Sequence, residues 1–286
     1  MKQTDWMEAD DKKSIYFQKW DHADSQQKKA VLQIAHGMAE HIDRYDEFAN
    51  FLTNHGIIVY GNDHRGHGQT GKKHGIGYFD EVNGFDKATN DLLTITEEIK
   101  INHPTLPIFL FGHSMGSFLV RNYLLKQSSH LSGVILSGTG TESLFLTTIG
   151  KLLAKGHIRM KGWDQPSPFF NRLVFGNYAR QFKQRQTEFD WLSRDQTNVF
   201  AYINDPDAGF IPSTSFFYDL FEGIEAIQDP KKIAGISKEL PFLFISGTHD
   251  PVGKYTNGVK KTIKQYQEQG IKNMVNPQKQ GVFKVS

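Results

Sequence analysis

The sequence predicts an α/β fold: a mostly parallel sheet with helices on both faces and a helical insertion. Three observations predict it. Short, continuous apolar runs recur, each closed by a turn signal, as strands buried on both faces require. Between them lie segments whose apolar residues repeat at helical spacing. That alternation stops between 141 and 235, where 16 aromatic residues crowd a stretch with helical patterns and no clear strand.

The elements follow in order. "AVLQIAHG" (30–37) reads as a buried strand ending in Gly. "YDEFANFLTNHG" sets Tyr45, Phe48, Phe51 and Leu52 at helical spacing, with Gly56 as the stop. "IIVYGNDHRGHG" is a strand running into a Gly-rich loop. "FDKATNDLLTITEEIKINHP" places Phe85, Ala88, Leu92, Ile95 and Ile99 on one helical face, and Pro104 follows its end. "LPIFLFG" is the next strand and "MGSFLVRNYLLK" the next helix. "LSGVILSG" and "LPFLFISG" are further strands, and "NGVKKTIKQYQEQG" is a helix. "IKNMV" begins one more strand, then departs into "NPQKQGVFKVS". The core is therefore expected at 1–140 and 236–286, with a helical cap at 141–235. Most of the cap aromatics are expected to fill its own small core, and some to line an apolar pocket facing the sheet.

Composition narrows the function. Lys plus Arg is 33 against 31 acids, a net charge of +2, with the signs interspersed. No one-sided basic face is present for nucleic acid. The absence of cysteine excludes disulfides, a thiolate nucleophile and Cys-ligated metal sites. The N-terminal "MKQTDWMEADDKKS" is polar and lacks the apolar stretch of a signal peptide. Runs such as "PIFLF" and "PFLFI" fall far short of the ~18 residues of a membrane span. A soluble, cytoplasmic protein is expected.

"FLFGHSMGSF" (109–118) carries the chemistry. Gly112 and Gly116 flank Ser114 at minus two and plus two, after an apolar strand and before a helix. This is the setting of a G-x-S-x-G nucleophile elbow. The turn is so sharp that side chains at the flanking positions would clash. It lifts the Ser hydroxyl to a helix N-terminus, where free N–H groups favour developing negative charge.

With "HGMAEH" (36–41), "DHRGHG" (63–68), "GHSMG" (112–116), "FDWLSRD" (189–195), "DPDAGF" (205–210) and "GTHDPV" (247–252) in this order, the chain resembles the α/β-hydrolase superfamily. Within it, the chain is similar to the monoglyceride lipase and lysophospholipase-like group, also called serine aminopeptidase S33. The resemblance covers nearly the whole chain. It implies Ser114 as nucleophile, Asp250 as the acid that orients a catalytic histidine, and the backbone N–H groups of Met38 and Met115 as the oxyanion hole. It implies no cofactor. The substrate class would be a small lipid ester, with transient membrane-surface contact through the cap. A peptidase of the same fold and a non-catalytic acyl-binding protein are the alternatives. The histidines of "DHRGHG" and the His36/His41 pair invite a metal reading. A Gly-rich loop, however, does not hold them on one helical face as a zinc-binding H-E-x-x-H helix would. In the family that loop is structural, with Asp63 and Arg65 fixing its turn.

The triad histidine is expected beyond Asp250. No histidine stands among residues 251–286; the last is His249. Three explanations are open: a C-terminus lost or replaced, a non-catalytic relative, or a substitute base such as His249, His41 or His74. The first is the expectation here. The last strand and closing helix of the fold would then be missing, and "LPFLFIS" would stand as a long, apolar, unpaired edge.

Overall fold

The computed structural model describes residues 1–22, 27–179, 182, 185–276 and 278–279. Its strands and helices run, in chain order, β1 (Lys2–Glu8), β2 (Ser14–Trp20), β3 (Ala30–Ala35), α1 (Asp46–Thr53), β4 (Ile57–Asn62), α2 (Gly68–His74), α3 (Gly84–Asn102), β5 (Ile108–His113), α4 (Met115–Lys126) and β6 (Gly133–Ser137). Next come α5 (Leu144–Lys161), α6 (Pro168–Phe175), α7 (Gln196–Ile203), α8 (Thr214–Ala226) and α9 (Pro230–Ile233). The described chain closes with β7 (Phe242–Gly247), α10 (Asn257–Glu268), β8 (Met274–Val275) and β9 (Gln278–Lys279).

The strands form one sheet in the order β1-β2-β4-β3-β5-β6-β7-β8, with β9 also on β7. From β4 onward all pairings are parallel, while β1 and β2 are antiparallel to their neighbours. Alternate residues of each central strand enter opposite layers. Val31, Ile58, Leu110, Val134 and Phe242 face a core shared with α3, α4, α8 and α10. Leu32, Ile34, Val59 and Phe111 face a second core with α1 and the preceding 3-10 turn at Ile42–Tyr45. The mostly parallel sheet with helices on both faces is as the sequence predicts.

Three features differ from the sequence reading. The N-terminal segment forms the β1–β2 hairpin. β1 is exposed along nearly its whole length, so it shows no buried apolar alternation by which to be found. The Gly-rich stretch after β4 is not all loop, since Gly68–His74 is helical. The β7 edge is not left bare. Phe242 and Leu243 pair with Met274 and Val275, and Ser246 and Gly247 pair with Gln278 and Lys279. The expected missing strand is thus present as two short pieces. Backbone groups of β7 take partners from any sequence that can extend, because ladder hydrogen bonds do not depend on side chains. No helix follows α10 among the described residues.

Segment 141–235 holds α5 to α9. Phe170 and Phe217 are buried with Ala154 in a small cluster of their own. Phe216, Leu220 and Ile224 of α8 instead enter the main core. No helix among the described residues is long and apolar enough to cross a membrane.

Candidate active site

Ser114 links β5 directly to α4, and its backbone stands at φ 50°, ψ −120°. This conformation is sparsely populated by L-residues and costs on the order of 1–3 kcal/mol. The glycines make it attainable. A Cβ on Gly112 would lie 2.6 Å from the Gly116 carbonyl oxygen and 2.7 Å from Ser117 Cα. A Cβ on Gly116 would run into the carbonyl oxygens of Ala35 and His36 at the end of β3. The turn is pinned by the Ser114 N–H, which donates to the Ser137 carbonyl of β6 at 2.8 Å. The Ser117 N–H and hydroxyl return to the Ser114 carbonyl at 2.9 and 2.6 Å.

Met115 is the first residue of α4, so its N–H precedes the first intrahelical bond. Met38 lies in the turn after β3, partly packed on the main core. That turn is held from several sides. The Gly37 N–H donates to Glu40 Oε1, and the Tyr45 hydroxyl donates to the same oxygen at 2.8 Å. Ala39 has φ 53°, and its carbonyl accepts the Gly209 N–H at 2.9 Å. His41 Nε2 meets Asp205 Oδ2 at 2.8 Å. The "DPDAGF" motif, far away in sequence, therefore buttresses the turn that carries Met38. Asp63 does so from below, accepting from Ile42 N at 2.9 Å and Gln69 N at 2.7 Å. Burial pushes its carboxyl up to about 6.

Asp250 follows β7 and is almost fully buried. Burial raises its pKa, while hydrogen bonds from its own loop act in the opposite sense. Oδ1 accepts the Val252 N–H at 2.8 Å, and Oδ2 lies 3.4 Å from the Ser246 hydroxyl. Gly138, with φ 60°, stands between Asp250 and the elbow. A Cβ there would be 3.5 Å from Asp250 Oδ2 and 3.6 Å from His113 Cε1. The structure so gathers Ser114, the Met38 turn and Asp250 at the C-terminal ends of β3, β5, β6 and β7, where a mostly parallel sheet places its sites.

His113 was not singled out by the sequence reading. Its Nδ1 lies 3.2 Å from the Ser137 hydroxyl, and its charge would stabilise the Asp250 carboxylate. A Cβ on Gly37 would be 3.4 Å from its Cδ2, so the ring spans from the Met38 turn towards Asp250. The only sequence signal was its place beside the serine. The candidate substitute bases have the following partners. His41 is paired with Asp205, His74 Nε2 lies 3.0 Å from the Ser14 carbonyl, and His249 Nδ1 lies 3.2 Å from Thr248 Oγ1.

His36, His64 and His67 form a packed cluster. The His36 ring centroid is 4.1 Å from that of His64 and 5.1 Å from that of His67. His36 Nε2 accepts the His64 N–H at 3.0 Å. Burial lowers all three pKa values, to about 3 for His64, about 4 for His67, and well below the ordinary value for His36. No group of three or more side chains able to hold a metal ion occurs among the described residues. Arg65 ion-pairs with Asp91 at 2.7 Å, Asp11 at 2.6 Å and Asp80 at 3.0 Å, which fixes the loop as expected.

This arrangement suits acyl transfer. It offers a hydroxyl on a strained elbow, the adjacent turn that carries Met38, and a buried acid on the adjoining loop. The serine aminopeptidase S33 family matches residues 26–277. Over 255 residues the chain is 32% identical to the monoglyceride lipase of Rattus norvegicus, covering 84% of this chain and 74% of that one. It is 33% identical over 180 residues to the monoacylglycerol lipase of Mycolicibacterium smegmatis, covering 62% of this chain and 56% of that one. A thermostable carboxyl esterase from Bacillus coagulans, solved in complex with glycerol, superposes with a TM-score of 0.89 at 25% identity. That match covers 98% of this chain and 90% of that one.

Proposed function

The chain belongs to the serine aminopeptidase S33 family of α/β-hydrolases, and from that premise we propose that it is a carboxylester hydrolase for monoacylglycerol or lysophospholipid-type esters. Its relatives are named monoglyceride lipases and esterases, so hydrolase chemistry of the serine type comes with the family. The finer reading rests on one observation above all: the strained Ser114 elbow facing the Met38 turn. In this reading Ser114 Oγ attacks the ester carbonyl, and Met38 N–H and Met115 N–H receive the oxyanion. The alcohol leaves, and water releases the acyl group from Ser114. Asp250 is the acid of the site. Residues 141–235 act as a cap whose aromatics suit an acyl chain, and the protein works in the cytoplasm, meeting lipid at a membrane surface.

Turnover is proposed to be very low, because residues 251–286, where the family places the triad base, hold no histidine. In a comparable Ser-His-Asp enzyme, loss of the histidine costs about 10⁶ in turnover. That is roughly 8 kcal/mol of transition-state stabilisation. The same feature supports a second reading, an acyl-binding protein that does not turn over. Free imidazole separates the two. Under the first reading, imidazole produces fatty-acid release from monooleoylglycerol in the native chain and none in Ser114→Ala. Saturable binding of monooleoylglycerol with no imidazole-dependent release supports the second. Release from a proline-type aminopeptide substrate, with none from esters, would make the site a peptidase.

A further inference from the structure

Arg121 lies on α4, the helix that starts at the serine elbow, and it is fully buried. No carboxylate lies within ion-pair distance of it among the described residues. Backbone dipoles take the place of a counterion. Nη1 donates to the Gly140 carbonyl at 2.6 Å and lies 3.5 Å from Thr139 Oγ1. Nη2 donates to the Ile227 carbonyl at 3.3 Å. Ile227 caps the C-terminus of α8, the negative end of that helix dipole. The guanidinium also sits 5.9 Å over the Tyr266 ring of α10.

The carbonyl at Gly140 belongs to a strip, residues 138–141, that lies flat along the Asp250 loop. A Cβ on Gly140 would be 2.6 Å from the Val252 carbonyl oxygen, and a Cβ on Gly253 would be 3.3 Å from the Thr139 carbonyl. A Cβ on Gly258 would be 3.2 Å from Thr141 N. Tyr266 belongs to the helix that continues from the same loop. One cation on the serine helix therefore grips both supports of the acid loop.

We propose that Arg121 is a positioning residue that fixes the Asp250 loop relative to the helix carrying Ser114. The proposal rests on the reading of Ser114 and Asp250 as one site, but its test reads the loop and not turnover. Val252 N–H donates to Asp250 Oδ1, so its amide shift follows ionisation of that carboxyl. The groups facing the carboxyl are His113, Ser246, Tyr178 and Tyr255, and none is altered by changing Arg121. In Arg121→Met the loop loosens and admits water. The Val252 titration midpoint is expected to fall by about half a pH unit. The amides of Gly140, Thr141 and Val252 are expected to exchange about tenfold faster. Arg121→Lys keeps the charge but reaches one carbonyl instead of two, and it should fall between native and Met. A folded Arg121→Met with native midpoint and native exchange at these amides overturns the proposal. Should that variant not fold, Arg121→Lys decides: a shift in the same sense supports the proposal, and native behaviour overturns it. If imidazole-dependent hydrolysis is absent while these shifts appear, the functional reading fails and this inference stands.

Discussion

Ser114 holds a backbone conformation that glycine adopts at less cost. Ser114→Gly should therefore stabilise the fold by about 1 kcal/mol, a rise of roughly 2 °C in Tm, while removing the hydroxyl. A thermal melt without that rise would show that the elbow stores no strain. Gly116→Ala should act in the opposite direction. Its Cβ meets two backbone carbonyls of the β3 end, which cannot rotate away as a side chain could. A loss of about 3 kcal/mol or more, read as a lower urea midpoint, is expected. The elbow was legible in the sequence because its steric demand is local: the glycines must stand two residues either side of the serine. The placement of His113 was not legible, because only the pairing of β5 with β6 brings its ring up to Gly138 and so towards Asp250. Asp250 could be located from chain order and family resemblance. Its company of Ser246 and Gly138 follows from the sheet.

The elements join through buried polar groups that carry their own pH signatures. Asp219 of α8 is buried against the start of α3, where a Cβ on Gly84 would collide with its carboxyl. Burial pushes its pKa up to about 8, against a backbone hydrogen bond at Gly84 that acts in the opposite sense. The folded chain thus binds this proton more tightly than the unfolded chain, whose Asp titrates near 3.9. Stability contributed by the protonated form is present at low pH and is lost as pH rises towards 8. Asp219→Asn abolishes that loss. Its stability relative to the native chain should grow by about 3 kcal/mol between pH 5 and pH 8, read from urea midpoints. A difference that stays constant with pH would exclude an ionising Asp219. At this scale the buried strands and amphipathic helices were read correctly, since their patterns record which faces they bury. The β1–β2 hairpin escaped because β1 buries almost nothing. Of the cover on β7, residues 274–275 lie in "IKNMV", read as the start of a strand, while 278–279 escaped because backbone pairing leaves no mark in side-chain pattern.

At the scale of the whole molecule, α5 and α6 expose many large apolar side chains. Leu144, Phe145, Leu152, Leu153, Phe169 and Leu173 are each about half exposed or more. Single exposed apolar residues need no explanation, but six on two successive helices mark a candidate contact surface. Set on the proposed cap, this face suits partial insertion at a lipid interface. Phe145→Glu with Leu152→Glu should lower co-sedimentation with phosphatidylcholine vesicles several-fold and leave the thermal midpoint near native, since both side chains already face water. Equal sedimentation of native and variant chains would place lipid contact elsewhere. The sequence located this segment by its aromatic content. It could not tell that α8 would turn into the main core while α5 faces outward, because both read as amphipathic helices. The central proposal is that the molecule assembles an ester-hydrolysis site at Ser114 that no histidine of residues 251–286 activates. Hydrolysis of a short p-nitrophenyl ester by the native chain and by Ser114→Ala, without added imidazole, tests this most directly. The account predicts equal rates for the two. A native rate well above the Ser114→Ala rate would mean that a histidine already in the fold activates the serine, and the claim of a missing base would be wrong.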